Sequence, residues 1–418
     1  MNDAPFPLGL HDHEAYSLPL DKLDVSQGRL FQNQLHLPYF ERLRREDPVH
    51  FCADSQFGPY WSITKYNDIV SVDSNNKVFS SASEFGGITI RDRRPEVRRE
   101  SFIAMDAPRH DDQRKAVSPI VAPQNLARME AGIRERAGKV LDNLPRGEVF
   151  NWVEKVSIEL TTQMLAILFD FPWEDRRLLT RWSDVATADI AAGVVKTEEE
   201  REEILAECLA YFTRLWNERV NADMQPDLLS MMAHSPATRN MTPDQFLGNL
   251  ILLIVGGNDT TRNSMSGSVL FMHRNPDQFA KLKANPLLLD SAVPEIIRYQ
   301  TPLSHMRRTA LEDQEIGGKL IKKGDKVVMW YCSGNRDDTA IENPNEFIID
   351  RKRPRQHLSF GFGIHRCVGN RLAEMQLKIV WEEILKRFDR IEVVGPETRV
   401  FSSFVHGIED LPVIVHGK

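Results

Sequence analysis

A chain of 418 residues with 41% hydrophobic residues, 27% charged residues and a formal net charge of −7 has ample apolar material for a large core and no basic excess. That balance excludes a disordered chain and argues against a nucleic-acid binder. The four cysteines, at 52, 208, 332 and 367, fit neither a disulfide framework nor a zinc or iron–sulfur spacing, which agrees with a reducing compartment.

Residues 1–35 are polar and weakly patterned and read as an irregular or short helical arm. Met1-Asn2-Asp3-Ala4-Pro5 lacks the basic and apolar regions of a signal peptide. No apolar run approaches the roughly 18 residues of a membrane span, so a cytoplasmic protein is expected. A helix over Pro38 to Arg45, strands at 49–51 and 60–64 about a Gly58-Pro59 turn, and a helix over Tyr66 to Val72 follow. Residues 79–105 carry few regular cues beyond serines, glycines and the arginines at 91, 93, 94, 98 and 99. A loop this long in a compact protein is usually functional or mobile. Its arginines are either a solvated surface or include one that meets a substrate carboxylate.

Pro108, behind Asp106, is placed to start a helix, and His110 and Arg114, four apart, then share one face. Amphipathic helices are expected over 124–144, 151–170 and 173–189, broken at Pro145-Arg146-Gly147 and Pro172. A loop over 190–200 leads into a helix ending near Asn221. Thr242-Pro243-Asp244-Gln245 combines a capping Thr, a first-turn Pro and a Gln able to close a capping box. The helix it opens runs to about Arg274, roughly 45 Å. At its middle stands Gly256-Gly257-Asn258-Asp259-Thr260-Thr261, where each glycine costs about 1 kcal/mol relative to Ala and so needs a reason. A helix from near Ser291 carries Glu295 and Arg298, three apart, on one face. Strands are expected over 315–321, about Gly317-Gly318, over Asp325 to Cys332, and near 391–394 and 413–416. An amphipathic helix covers Arg371 to Phe388, and the turn 401–407 lies between the last two strands.

Ahead of that helix lies Phe360-Gly361-Phe362-Gly363-Ile364-His365-Arg366-Cys367-Val368-Gly369. Its glycines allow a tight backbone. The N–H groups at the start of the next helix favour thiolate over thiol at Cys367. A thiolate held by amide donors beside an apolar wall, for which Phe360 is the candidate, suits the axial ligand of a haem iron. The stretch resembles the cysteine-ligand loop of the cytochrome P450 superfamily, Phe-x-x-Gly-x-(His/Arg)-x-Cys-x-Gly, with Phe360, Gly363, His365, Cys367 and Gly369 in every specified place.

The resemblance implies a mainly α fold with small β-sheets. Residues 1–418 would form a single domain, with haem b (iron protoporphyrin IX) between the long central helix and the Cys367 loop. It implies that His110, Arg114, Arg308 and His365 meet the haem propionates, and that Phe360 and Gly369 complete the cofactor seat. Glu295, Arg298 and Arg351 would form a structural triad. The segment from Gly256 to Thr261 resembles the family's oxygen-activation motif: small residues let haem and dioxygen approach, the carbonyl ladder opens locally, Asp259 gates protons and Thr260 delivers them. In the pocket, Gly256, Gly257, Leu303, Ser304, Met306, Phe404 and Val405 are expected to face the substrate.

A thiolate-ligated haem favours O–O cleavage, so a monooxygenase that inserts one atom of O2 into a C–H bond is implied. No flavin or iron–sulfur motif is present, hence a separate ferredoxin with its reductase, docking on Arg109, Lys115, Arg366 and Arg371. Residues 256–264, 302–308 and 404–407 resemble the bacterial group that hydroxylates terminal carbons of medium-chain alkanes and fatty acids, which gives a small hydrophobic linear substrate. Terpenoid or steroid hydroxylation, a haem-thiolate gas sensor and a peroxygenase are the alternatives.

Overall fold

The computed structural model describes residues 13–417. Of the arm expected at the N-terminus, residues 1–12 lie outside the described residues; the rest forms short helical turns at Glu14–Ser17, Leu20–Lys22 and Gly28–Gln32. Twelve longer helices follow in chain order: α1 (His36–Glu46), α2 (Tyr66–Ser74), α3 (Arg109–Val117), α4 (Pro123–Asp142), α5 (Glu159–Phe169), α6 (Arg177–Thr187), α7 (Glu198–Arg219), α8 (Leu228–His234), α9 (Pro243–Arg274), α10 (Pro276–Ala284), α11 (Leu289–Gln300) and α12 (Asn370–Arg387). Helices dominate and the sheets are small, as the mainly α reading requires.

The spine is α9. Its capping box is complete: Thr242 Oγ1 accepts from the Gln245 N–H at 3.3 Å, and Gln245 Oε1 accepts from the Thr242 N–H at 3.1 Å. Thirty-two residues give about 48 Å of helix. Every residue from Thr261 to Met272 is buried, the signature of a helix surrounded by neighbours rather than laid on a surface. Those neighbours are α5, α6, α7, α11 and α12. Buried hydroxyls and an indole tie α9 to its surroundings: Ser266 Oγ donates to Ser157 Oγ, just ahead of α5, at 2.8 Å, and Trp381 Nε1 of α12 donates to Ser268 Oγ at 2.9 Å.

The largest sheet has five strands, β1 (Val49–Cys52), β2 (Tyr60–Ile63), β3 (Phe79–Ser80), β4 (His305–Ala310) and β5 (Lys326–Trp330), in the order β1-β2-β5-β4-β3. The central β5, buried along its length, runs parallel to β2 and antiparallel to β4. The strand expected over Asp325 to Cys332 is therefore shorter: its last residues turn into a helical turn, Tyr331–Gly334. The hairpin about Gly317-Gly318 stands apart as a separate two-stranded unit.

Two expectations are corrected, and one helix is new. The segment at 151–170 opens with a π-helical turn at Val153–Ile158 before α5. The helix α8 had no sequence reading, although Asp227 caps it by accepting from the Ser230 N–H at 2.8 Å. The helix α9 runs unbroken through 256–261, so the ladder does not open there.

The long segment 79–105 is pinned rather than loose. The Phe102 N–H donates to Asn249 Oδ1 of α9 at 2.9 Å, and the Arg307 N–H of β4 donates to Ile88 O at 2.8 Å. Lys326 Nζ reaches Ile90 O at 3.0 Å and Asp92 Oδ2 at 2.7 Å.

Candidate active site

The Cys367 loop is closed by its own backbone, the Cys367 N–H donating to Phe360 O at 2.8 Å. At Gly363, with φ of +65°, a Cβ would come within 2.5 Å of Asp73 O, so the loop lies against α2 as only glycine permits. The buried Asp73 carboxylate holds three partners: the Phe362 N–H at 2.8 Å, Tyr331 Oη at 2.8 Å and Arg308 Nη2 at 2.7 Å.

The Cys367 thiol opens into a deep cavity lined also by Phe360, Gly369 and Leu372 on its own side. Protein surrounds it elsewhere, and that burial pushes the thiol up from its usual range. A hydrogen bond from the Gly369 backbone, then Arg114 and Arg366, pull it down. The backbone donor thus favours the thiolate as expected, against burial; a metal cation at Sγ would favour it further.

One edge of the cavity is basic. His110 Nδ1 lies 2.7 Å from Asp111 Oδ1, and His365 Nε2 lies 2.8 Å from Ser81 Oγ. Their other ring nitrogens, His110 Nε2 and His365 Nδ1, are buried without a partner, and the two rings stand 4.3 Å apart. Arg114 Nη2 donates to Arg366 O at 2.5 Å. His110, Arg114, Arg308 and His365 all line the cavity. Orphaned buried nitrogens beside two guanidiniums form a donor set that calls for carboxylates.

Another part of the wall is the middle of α9. The two glycines there do different things. A Cβ at Gly256 would meet nothing within 4 Å, whereas one at Gly257 would lie 2.7 Å from Leu165 Cδ2. Both line the cavity; Gly256 leaves space in it, and Gly257 also lets α5 pack closely. Thr260 lines the cavity and its Oγ1 donates to Gly256 O at 2.9 Å. Asp259 does not reach the cavity directly, contrary to the simple picture of a gate. It is buried and fully engaged, by Arg262 Nη2, Ser183 Oγ and Asn258 Nδ2 at 3.0 Å each and by Thr187 Oγ1 at 3.2 Å. Thr187 does line the cavity and so connects the acid to it.

Leu303, Met306 and Phe404 face the cavity as expected. Ser304 and Val405 do not. Both are buried behind the wall. Ser304 is paired there through its backbone, its N–H donating to Phe404 O at 2.8 Å. Val405 bridges Leu303. The Glu295 triad is assembled away from the cavity: Arg298 donates to both Glu295 oxygens at 2.7 and 2.8 Å, and Arg351 Nε to Oε2 at 2.9 Å.

A family model described as Cytochrome P450 matches residues 147–405. The chain belongs to the cytochrome P450 family. The structure of CYP153D17 from Sphingomonas sp. PAMC 26605 is 49% identical and superposes with a TM-score of 0.89 over 95% of this chain and 100% of that one. Linalool 8-monooxygenase of Pseudomonas putida is 35% identical over 96% of this chain and 100% of its own. Methyl-branched lipid omega-hydroxylase of Mycobacterium tuberculosis is 31% identical over 90% of each. This P450 is therefore a monooxygenase, and its family carries haem.

The residues present fit that group: a thiol in the wall, partnerless buried donors for carboxylates, and open space over Gly256. Sequence reasoning missed Asp73, Ser81 and Thr187, single polar residues in no motif, whose partners are distant in sequence. On the Cys367 side, Lys115, Arg366 and Arg371 are exposed, but Arg109 is already paired with Glu100 by two hydrogen bonds of 2.9 Å. Among the described residues no helix is long and apolar enough to cross a membrane.

Proposed function

We propose that this P450 hydroxylates the terminal carbon of medium-chain alkanes or fatty acids, with haem b as cofactor and a ferredoxin and its reductase as the electron source. The observation that carries this reading is the cavity itself: an apolar middle (Leu252, Val255, Leu303, Met306 and Phe404 among its walls) leading to Cys367. A relative named as a lipid omega-hydroxylase supports attack at a chain end. The primary C–H bond is the stronger one, so the end must be held in place rather than selected by reactivity.

Cys367 would ligate the iron; His110, Arg114, Arg308 and His365 would bind the propionates; Phe360 and Gly369 would wall the seat. When bound, a thiolate-ligated haem supplies dioxygen activation and O–O cleavage. The chain's part is to position and to supply protons. Thr260 presents a hydroxyl proton from the cavity side of α9. Asp259 resupplies it through Thr187, which requires one of its present hydrogen bonds to be exchanged. Lys115, Arg366 and Arg371 offer the donor protein a basic face, where charge raises the association rate more than the affinity.

A terpenoid substrate is the second reading, favoured by the similarity to linalool 8-monooxygenase. Spin-state titration with decane, decanoic acid, linalool and a steroid, followed by product analysis with a reconstituted ferredoxin pair, separates the two. Shifts with linear chains and terminal alcohols as products are expected. A shift with linalool or the steroid alone would sink the linear-chain assignment.

A further inference from the structure

Three arginines of the 79–105 segment line the cavity: Arg93, Arg98 and Arg99. Two of them are engaged. Arg99 is paired with Glu202 of α7. Arg98 donates to Arg93 O at 2.9 Å and to Glu84 O at 3.1 Å. The Arg93 guanidinium has no hydrogen bond and no ion pair among the described residues. Its surroundings do not supply one. Glu198 and Glu202 act on it at longer range, but Glu198 already holds Arg91 and Arg201, and Glu202 holds Arg99. Among the described residues, six guanidiniums gather here (Arg91, Arg93, Arg94, Arg98, Arg99 and Arg201) around the ion-paired carboxylates of Asp189, Glu198, Glu199 and Glu202.

Arginine does not escape such a position by losing its proton. Burial and the neighbouring Arg201 and Arg99 all work against its charge. An unpaired, half-buried guanidinium lining a cavity lacks the counter-charge it needs, and a planar carboxylate is the partner whose geometry suits it.

We propose that Arg93 binds the carboxylate of a monocarboxylic acid substrate at the end of the cavity walled by α7, with the hydrocarbon chain running toward Cys367. This rests on the linear-chain reading above and narrows it, from alkanes or fatty acids to acids. It also accounts for attack at the far end of the chain: anchoring the head fixes which carbon reaches the reactive centre. Arg93 is a specificity residue and takes no part in the chemistry.

The test is spin-state titration of the haem-loaded protein with decanoic acid, methyl decanoate and decane, for the wild type and for Arg93→Gln, Arg93→Lys and Arg94→Gln. Wild type is expected to bind the acid at least about tenfold more tightly than the ester, as loss of a buried charge pair dictates. Arg93→Gln should remove that preference by weakening the acid alone. Arg93→Lys should keep part of it, and Arg94→Gln, at the exposed Glu199 pair, should keep all of it. Equal affinity of the wild type for acid and ester overturns the anchor, whether or not Arg93→Gln folds. So does a preference that survives in Arg93→Gln. Decane and the ester do not need Arg93, so their binding with terminal hydroxylation leaves the chain-end reading standing when the anchor falls. No shift with any of the three overturns both.

Discussion

Glu295 is fully buried and accepts from Arg298 twice, from Arg351 and from the Ile348 N–H at 2.9 Å. Replacing it by Gln leaves the buried Arg298 charge uncompensated, a loss of about 3–5 kcal/mol. Glu295→Gln should therefore give little folded, pigmented protein, with a lowered melting temperature in whatever is recovered; unchanged melting would argue against the triad's structural role. At Cys367, substitution by Ser is expected to abolish the thiolate signature of the reduced CO complex while leaving the far-UV circular dichroism intact. Thr260→Ala should uncouple the enzyme: NADH continues to be consumed through the reconstituted donor, but hydrogen peroxide replaces most of the alcohol. Retained coupling would remove Thr260 from proton delivery. These residues were legible in the sequence because their chemistry is written within ten residues or within one helical turn. Asp73, Thr187 and the solitary state of Arg93 were not, because each is defined by partners far away along the chain.

Helices announced themselves through prolines and caps, and the Thr242–Gln245 box needed no tertiary information. Pairing of strands did not: that β5 runs parallel to β2, more than 260 residues earlier by number, is a property of the assembled sheet. The 79–105 segment shows the same limit. Its arginines read first as a solvated surface, with a single substrate contact as the alternative, and three of them form ion pairs. Arg91 pairs with Asp189 at 2.7 Å and Glu198 at 3.3 Å, Arg94 with Glu199 at 3.3 Å, and Arg99 with Glu202, tying the segment to the α6–α7 region over the cavity. Ion pairs at such exposure are individually weak and screened by salt. Raising ionic strength should thus speed substrate uptake, read by stopped-flow spin shift with an uncharged ligand such as decane. Arg91→Ala at low salt should reproduce the effect, and a rate indifferent to both would show that these pairs do not hold the cavity shut.

Across the molecule, several histidines are buried in neutral form. His305 is fully buried, its Nδ1 donating to Ser403 O at 2.9 Å and its Nε2 accepting from the Ile90 N–H at 3.4 Å, an arrangement that requires the neutral ring. Burial lowers its pKa to about 4, and those of His36 and His357 to about 3. The unfolded chain, with ordinary values near 6.5, then binds more protons than the native state as pH falls from about 6.5 toward 4. Native stability should drop across that window, by up to about 1.4 kcal/mol per pH unit for each histidine. Urea midpoints measured from pH 7 to pH 4.5 should decline accordingly, and a flat profile would mean the rings are not buried neutral. Asp73 carries a last consequence. One side chain clamps the thiol-bearing loop, a tyrosine and an arginine of the cofactor edge. The socket is therefore cast before any pigment arrives, and loading resembles a plug entering a moulded outlet. Apoprotein should take up hemin in a single rapid phase, whereas Asp73→Asn should add a slow one as the socket re-forms around its guest.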